Sequence, residues 1–135
     1  TIRFQNTGNF YATFVKVTND LSDKLDWTTF QLISSSHSNK VEIKNEKQIE
    51  FFFQAIYLPA SVNNEPKSHG YITYKIKPKK NVKIGDVINN HAKIYFDYNS
   101  PIITNTVNTE IVKEVSLNGN LEEGFKIYPK IIHWQ

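Results

Sequence analysis

Histidine is the side chain most readily recruited for proton transfer and metal binding near neutral pH, and this chain has four: His37, His69, His91 and His133. A histidine-based metal or catalytic site needs at least two of them converging, with a carboxylate or a serine beside them. His69 falls at a turn, and His91 falls on the wetter face of a strand beside Asn89. Turn chemistry and surface hydrogen bonding are the ordinary uses of histidine there. No serine sits in a Gly-x-Ser-x-Gly nucleophile elbow, and the absence of cysteine excludes disulfides and thiolate-held metals. Asp20, Asp23 and Asp26 recur every third residue in one connector. Hard oxygen donors in a loop are the chemistry of calcium, which takes about 6–8 oxygens. The triplet lacks the glycine and final glutamate of an EF-hand, and aspartate in connectors commonly caps turns. Asp97 and Asn99 would add ligands only if folding joined the loops. No catalytic, cofactor-binding or metal-ligating residue is therefore assigned, and the chain reads as a non-enzyme.

Two further groups of residues suit binding rather than turnover. Lys67, Lys75, Lys77, Lys79, Lys80, Lys83 and Lys93 form a basic run, in which Lys75 and Lys77 alternate with Tyr74 and Ile76. One strand face is then cationic, which solvates it and discourages edge-to-edge strand pairing. Contact with an acidic polysaccharide or lipopolysaccharide would be its sharper use. Nucleic acid is not expected, because no aromatic stacking platform interleaves with the lysines and the net charge is only +3. Tyr11, Trp27, Tyr57, Tyr71, Tyr95 and Tyr98 are candidates for a sugar-stacking surface, against the commoner use of aromatics as core and end plugs. Asn90, on an apolar strand face, would be a conceivable acceptor for a Lys–Asn isopeptide bond. No lysine clearly faces inward on the first strands, since Lys16 lies between Phe14 and Thr18, so a structural hydrogen bond to neighbouring backbone is expected instead.

The elements that must position these residues read as strands. From His69 to Thr109, three β-rich runs are separated by breaks containing Gly, Pro and Asn, the pattern of consecutive antiparallel strands. In the run Val87–Phe96, side chains alternate between faces. Ile88, Asn90, Ala92, Ile94 and Phe96 share one face, and Val87, Asn89, His91, Lys93 and Tyr95 share the other. One buried and one wet face is how a sandwich sheet behaves. Earlier strands are expected at Thr1–Gln5, at Ala12–Thr18 with Thr13, Val15 and Val17 on one face, and at Trp27–Ser35 through Phe30 and Leu32. Val41–Lys44 and Gln48–Gln54 read as a hairpin around Asn45-Glu46, with Val41, Ile43, Ile49, Phe51 and Phe53 inward. Leu21 and Leu25 are expected to plug one end. Pro59–Ser68 reads as a polar loop. No helical period persists long enough to support a helix. The expected fold is all-β, an immunoglobulin-like Greek-key sandwich of about eight antiparallel strands over residues 1–114.

At 135 residues the chain suits one domain with a real core. No apolar run approaches the ~20 residues of a membrane-spanning helix, so no membrane-spanning segment is expected. The chain opens at Thr1 already in strand-like alternation, without an initiator methionine, as a piece of a longer protein would. Missing targeting signals then carry no weight. Residues 115–135 change character. Ser116–Gly124 is linker-like, and the tail from Phe125 is too short to fold alone.

Four ordered motifs carry a family resemblance. They are Thr1–Gly8; Leu25–Ile33 with Ser35-Ser-His37; Glu65–Tyr71 with Tyr74–Pro78; and Asn90–Asn105. Together they resemble the conserved-repeat (DUF11-like) β-sandwich domain that precedes the C-terminal sorting domain of type IX-secreted bacterial surface proteins. The resemblance covers roughly residues 1 to 112. It implies a linker and the start of a sorting segment in 115–135, where Phe125-Lys-Ile-Tyr-Pro129 fits the usual opening but Lys130-Ile131 replace Asn-Pro. It further implies a non-catalytic structural or spacer module of a secreted, adhesin-like protein, extracellular or associated with the outer membrane. Its partners would be the neighbouring domains of the parent protein and, in the alternative of a carbohydrate-binding module, a cell-surface glycan.

Overall fold

The computed structural model of the protein describes residues 1–115, 121–127 and 132–133, with side chains through Val112. The chain runs β1 (Ile2–Gln5), β2 (Val15–Asp20), β3 (Leu25–Ser35), β4 (Lys40–Lys44), β5 (Gln48–Phe53), α1 (Ser61–Asn64), β6 (His69–Pro78), β7 (Val87–Asn90), β8 (Ala92–Phe96), β9 (Ile102–Ile103), β10 (Val107–Val115), β11 (Leu121–Ile127) and β12 (Ile132–His133). One sheet has the order β12-β1-β6-β3, a second β4-β5-β2-β8-β9, and a third β11-β10-β7. Among the described residues every strand pairing is antiparallel except β1 with β12. The fold is an all-β sandwich. The connections from β1 to β2, β2 to β3, β3 to β4 and β5 to β6 all change sheets, whereas β4–β5 and β8–β9 are hairpins within one.

Alternation builds the core. Ile2 and Phe4 of β1 and Ile72 of β6 face Val15 and Val17 of β2, Ile49, Phe51 and Phe53 of β5, and Ala92 and Ile94 of β8, all fully or almost fully buried. The Phe4 ring meets Phe53 edge-on at 5.4 Å and Phe96 at 6.4 Å. Phe4 is paired opposite Gly70, and its ring lies over that glycine. A second cluster of Leu25, Val82, Ile88 and Ile111 closes the far end, and Leu21 packs against both clusters as the end plug. The hairpin turn forms where expected, with Asn45 and Glu46 both at positive φ (53° and 58°). Such a turn matches the twist of the flanking strands.

Ten strands lie between Ile2 and Val115, where about eight were expected. Two more, β11 and β12, fall within the stretch expected as linker and tail, β11 pairing with β10 and β12 with β1. Val87–Phe96 breaks at His91, so that β7 pairs with β10 while β8 pairs with β2. Ile88, Ala92 and Ile94 are buried as expected, but Phe96 is only half-buried at the rim of the core. In β3 the register shifts between Asp26 and Gln31 and again between Leu32 and Ser34. These bulges turn Leu32 and Ile33 outward, against the alternation expected through Phe30 and Leu32. Pro59–Ser68 contains the single helical turn α1. The boundary expected near Glu114 falls inside β10. Of the expected linker, residues 116–120 lie outside the described residues, as do residues 128–131, where the sorting-segment opening was expected to end.

Candidate functional site

The outer face of the five-stranded sheet carries a shallow groove of about 630 Å³. Its floor follows from the strand register. Lys16 of β2 is paired with Phe52 of β5 on one side and Tyr95 of β8 on the other, so these three side chains form a row pointing away from the core. Phe14 and Tyr98 continue the aromatic surface. The Phe14 ring lies 5.7 Å from Phe52, and Tyr98 meets it edge-on at 5.1 Å. Tyr98 is 96% exposed. The Lys16 ammonium sits 4.6 Å from the centroid of the Tyr95 ring. Polar side chains line the edges: Glu50, Gln54, Asp97 and Asn99. Glu50 holds the Lys44 ammonium at 2.8 Å. That hydrogen bond and its charge raise the Lys44 pKa above its ordinary value.

Asp97 also acts structurally. The Thr13 and Phe14 N–H groups donate to its Oδ1 at 2.8 and 3.1 Å, and its own N–H donates to the Phe14 carbonyl at 3.1 Å. It adopts φ 54°, a left-handed conformation that aspartate tolerates better than most residues. Asn99 Nδ2 donates to the Phe96 carbonyl at 2.9 Å. The two residues raised as additional calcium ligands thus fix the turn that presents Tyr98.

The Asp20, Asp23 and Asp26 connector divides its carboxylates. Asp20 accepts from Gln48 Nε2 at 2.7 Å. Asp26 accepts from the Thr28 hydroxyl at 2.6 Å and the Thr28 N–H at 3.0 Å, an Asx turn that holds its pKa below the ordinary value. Asp23 lines a neighbouring crevice with Trp27 and Lys79. Among the described residues no cluster of three His, Asp or Glu has metal-binding geometry.

Among the described side chains, His37, His69 and His91 engage separate partners. His37 receives or donates a 2.7 Å bond with the Ser36 hydroxyl and lies edge-on to Phe53, and burial lowers its pKa. His69 Nε2 contacts Glu65 at 2.7 Å on the surface. At His91 the backbone carbonyl accepts from Asn19 Nδ2 at 3.0 Å. His133 lies in β12, outside the described side chains. The expectation of a backbone-bonded Asn90 is replaced by a side-chain network joining the sheets. Asn19 Nδ2 donates to Asn90 Oδ1 at 2.6 Å, Asn90 Nδ2 donates to the Tyr74 hydroxyl at 3.3 Å, and that hydroxyl donates to Asn19 Oδ1. Burial raises the Tyr74 pKa, partly offset by the bond from Asn90.

The proposed sugar-stacking tyrosines separate into three places. Tyr95 and Tyr98 share the groove. Tyr11 and Tyr57, with centroids 6.0 Å apart, share an exposed patch at the sandwich end with Phe10 and Pro59. Tyr71 lies under the Arg3 guanidinium at 5.6 Å. Phe14, Lys16, Glu50, Phe52 and Gln54 were missed as groove residues. Phe52 was legible: in Phe51-Phe52-Phe53, two inward rings require the middle one to face outward.

No helix among the described residues is long and apolar enough to cross a membrane. No curated protein and no solved structure matches the chain. One family model does match, described as the domain of unknown function DUF7619, and it spans residues 1–110, which covers the sandwich up to the middle of β10. The chain belongs to the DUF7619 family.

Proposed function

We infer that this domain is a non-catalytic structural module of a secreted or surface-displayed bacterial protein, a stiff spacer between functional domains and the C-terminal anchoring region. The observation that carries the reading is how the reactive-type side chains are engaged. Asn19, Asn90 and Tyr74 tie β2, β7 and β6 together, and Asp97 clamps the approach to β2. Asn6, buried at the sandwich end, donates to the Phe10 and Leu58 carbonyls and accepts from the Gly8 N–H. Thr104 bonds the Ala92 N–H in place of a strand neighbour. Buried polar groups satisfied in this way specify one rigid arrangement. The motif resemblance to the conserved-repeat domain of type IX-secreted proteins supports the exported, outer-membrane-associated setting.

The test is made in the parent protein. Exchanging residues 1–114 for an unrelated sandwich of similar length should preserve surface exposure, read by protease shaving of intact cells, and the activity of the other domains. Loss of that activity with display intact would remove the spacer reading. A parent protein that fractionates with the cytoplasm would remove the surface setting.

A further inference from the structure

We propose that the groove on the outer face of the five-stranded sheet is a binding site for a neutral oligosaccharide, a property additional to the spacer role and independent of it. A solvent-facing sheet surface ordinarily alternates its apolar side chains inward. Here Phe14, Phe52, Tyr95 and Tyr98 turn outward together, whereas isolated exposed apolar residues are unremarkable. Tyr98 is almost wholly exposed, yet its ring is held edge-on by Phe14, and its turn is fixed by Asp97 and Asn99. A ring presented to water on a braced turn offers a flat apolar surface on backbone that is already ordered.

The polar rim selects among ligands that can use such a surface. Gln54 and Asn99 are amides, able both to donate and to accept. The charges balance locally: Lys16 lies over Tyr95, Glu50 is paired with Lys44, and Asp97 is bonded to backbone N–H groups. A groove so balanced has no preference for a polyanion or polycation. It complements a ligand with apolar C–H faces and a rim of neutral hydroxyls, which describes a pyranose ring. The volume, about 630 Å³, falls within the usual range for ligand sites of about 300–1,000 Å³ and has room for a short chain of sugar rings. The Tyr11–Tyr57 patch has a mainly apolar lining, with Asn63 as its one amide, and lacks a comparable rim.

The experiment titrates the labelled 135-residue chain, followed by amide chemical shifts, with cellohexaose, xylohexaose, mannohexaose and chitohexaose at up to millimolar concentration. Heparin and a proline-rich peptide serve as competing classes. At least one neutral sugar should give saturable shifts centred on residues 14–16, 50–54 and 95–99, with affinity little changed by added salt. Tyr98→Ala should weaken it by about tenfold while leaving the melting temperature unchanged, because that ring is exposed. Tyr11→Ala should leave binding intact. The proposal is overturned by silence across all four sugars, by shifts centred on the Tyr11–Tyr57 patch, or by occupancy of the groove by heparin or the peptide alone. Binding unaffected by Tyr98→Ala overturns it too.

Discussion

Gly70→Ala should destabilise the sandwich through a single side chain. A Cβ at position 70 would stand 2.3 Å from Phe4 Cζ and 2.4 Å from Cε2, where carbon contacts prefer about 3.5–4.0 Å. The ring cannot simply move away, because it is 2% exposed and packed edge-on against Phe53 and Phe96. Relieving an overlap of that size means shifting β1 from β6, and overpacking of this kind costs about 1–3 kcal/mol. Alanine also restricts the unfolded chain, an effect worth about 0.4–1 kcal/mol in the stabilising direction. The net expectation is a loss of about 1–2 kcal/mol, or roughly 3–5 °C in Tm per kcal/mol at this chain length. Urea unfolding should show a lower midpoint at unchanged slope. The decisive arm is Phe4→Leu, which deletes the clashing ring carbons. In that background Gly70→Ala should become neutral or stabilising, so the double-mutant cycle should yield a coupling of about 1–3 kcal/mol. A Gly70→Ala protein as stable as the parent, or one equally damaged with Phe4 already trimmed, would refute the proposed Phe4–Gly70 contact.

Tyr74→Phe should cost about 1–3 kcal/mol by denaturant unfolding, since it leaves Asn19 Oδ1 and Asn90 Nδ2 without the hydroxyl. Because the Tyr74 pKa is raised in the fold above its ordinary 10.0, its contribution is fully present below pH 10 and is lost as pH rises through the folded pKa. Alkaline destabilisation should therefore be shallower in Tyr74→Phe. His37 shifts the other way: burial lowers its pKa below 6.5, so its contribution is present above pH 6.5 and is lost as pH falls through the folded pKa. A stability profile from pH 7 to 4.5 should be flatter in His37→Gln. Asp97→Asn retains an acceptor and a tolerance for positive φ, so its stability should stay within about 0.5 kcal/mol. Asp97→Ala removes the acceptor for the Thr13 and Phe14 N–H groups and should lose about 1–3 kcal/mol in thermal or urea unfolding.

Period-two alternation made most of the core legible. Val15, Val17, Ile49, Phe51, Phe53, Ile88, Ala92 and Ile94 are all buried, because a half-buried strand leaves that period in its residue types. The break at His91 and the bulges in β3 were hidden because they are set by pairing partners, which single-strand periodicity does not contain. Leu32 pointed the wrong way for that reason. The aspartates were legible as turn formers, and Asp26 acts as one through Thr28. The polar network was not legible, because Asn19, Tyr74 and Asn90 meet only after three strands from separate runs are placed. The groove was half-legible. Tyr95 and Tyr98 were marked as candidates, but their neighbours Phe14 and Phe52 come from strands whose adjacency is a tertiary fact.

The first strand has a temporal consequence. Its antiparallel partner is β6, and Thr1 bonds Thr73 across a separation of 72 positions. During synthesis, β1 must wait unpaired until β6 has emerged, while the β4–β5 hairpin can close at once around Asn45. Non-local pairing of this kind slows folding toward the millisecond-to-second range. An interval in which Ile2 and Phe4 remain uncovered is also an interval in which apolar core residues are open to a chaperone. Pairing of β1 is then timed by the arrival of His69–Pro78, before β8 adds Ala92 and Ile94 to the core, and a shortened connection between β5 and β6 should bring that pairing forward.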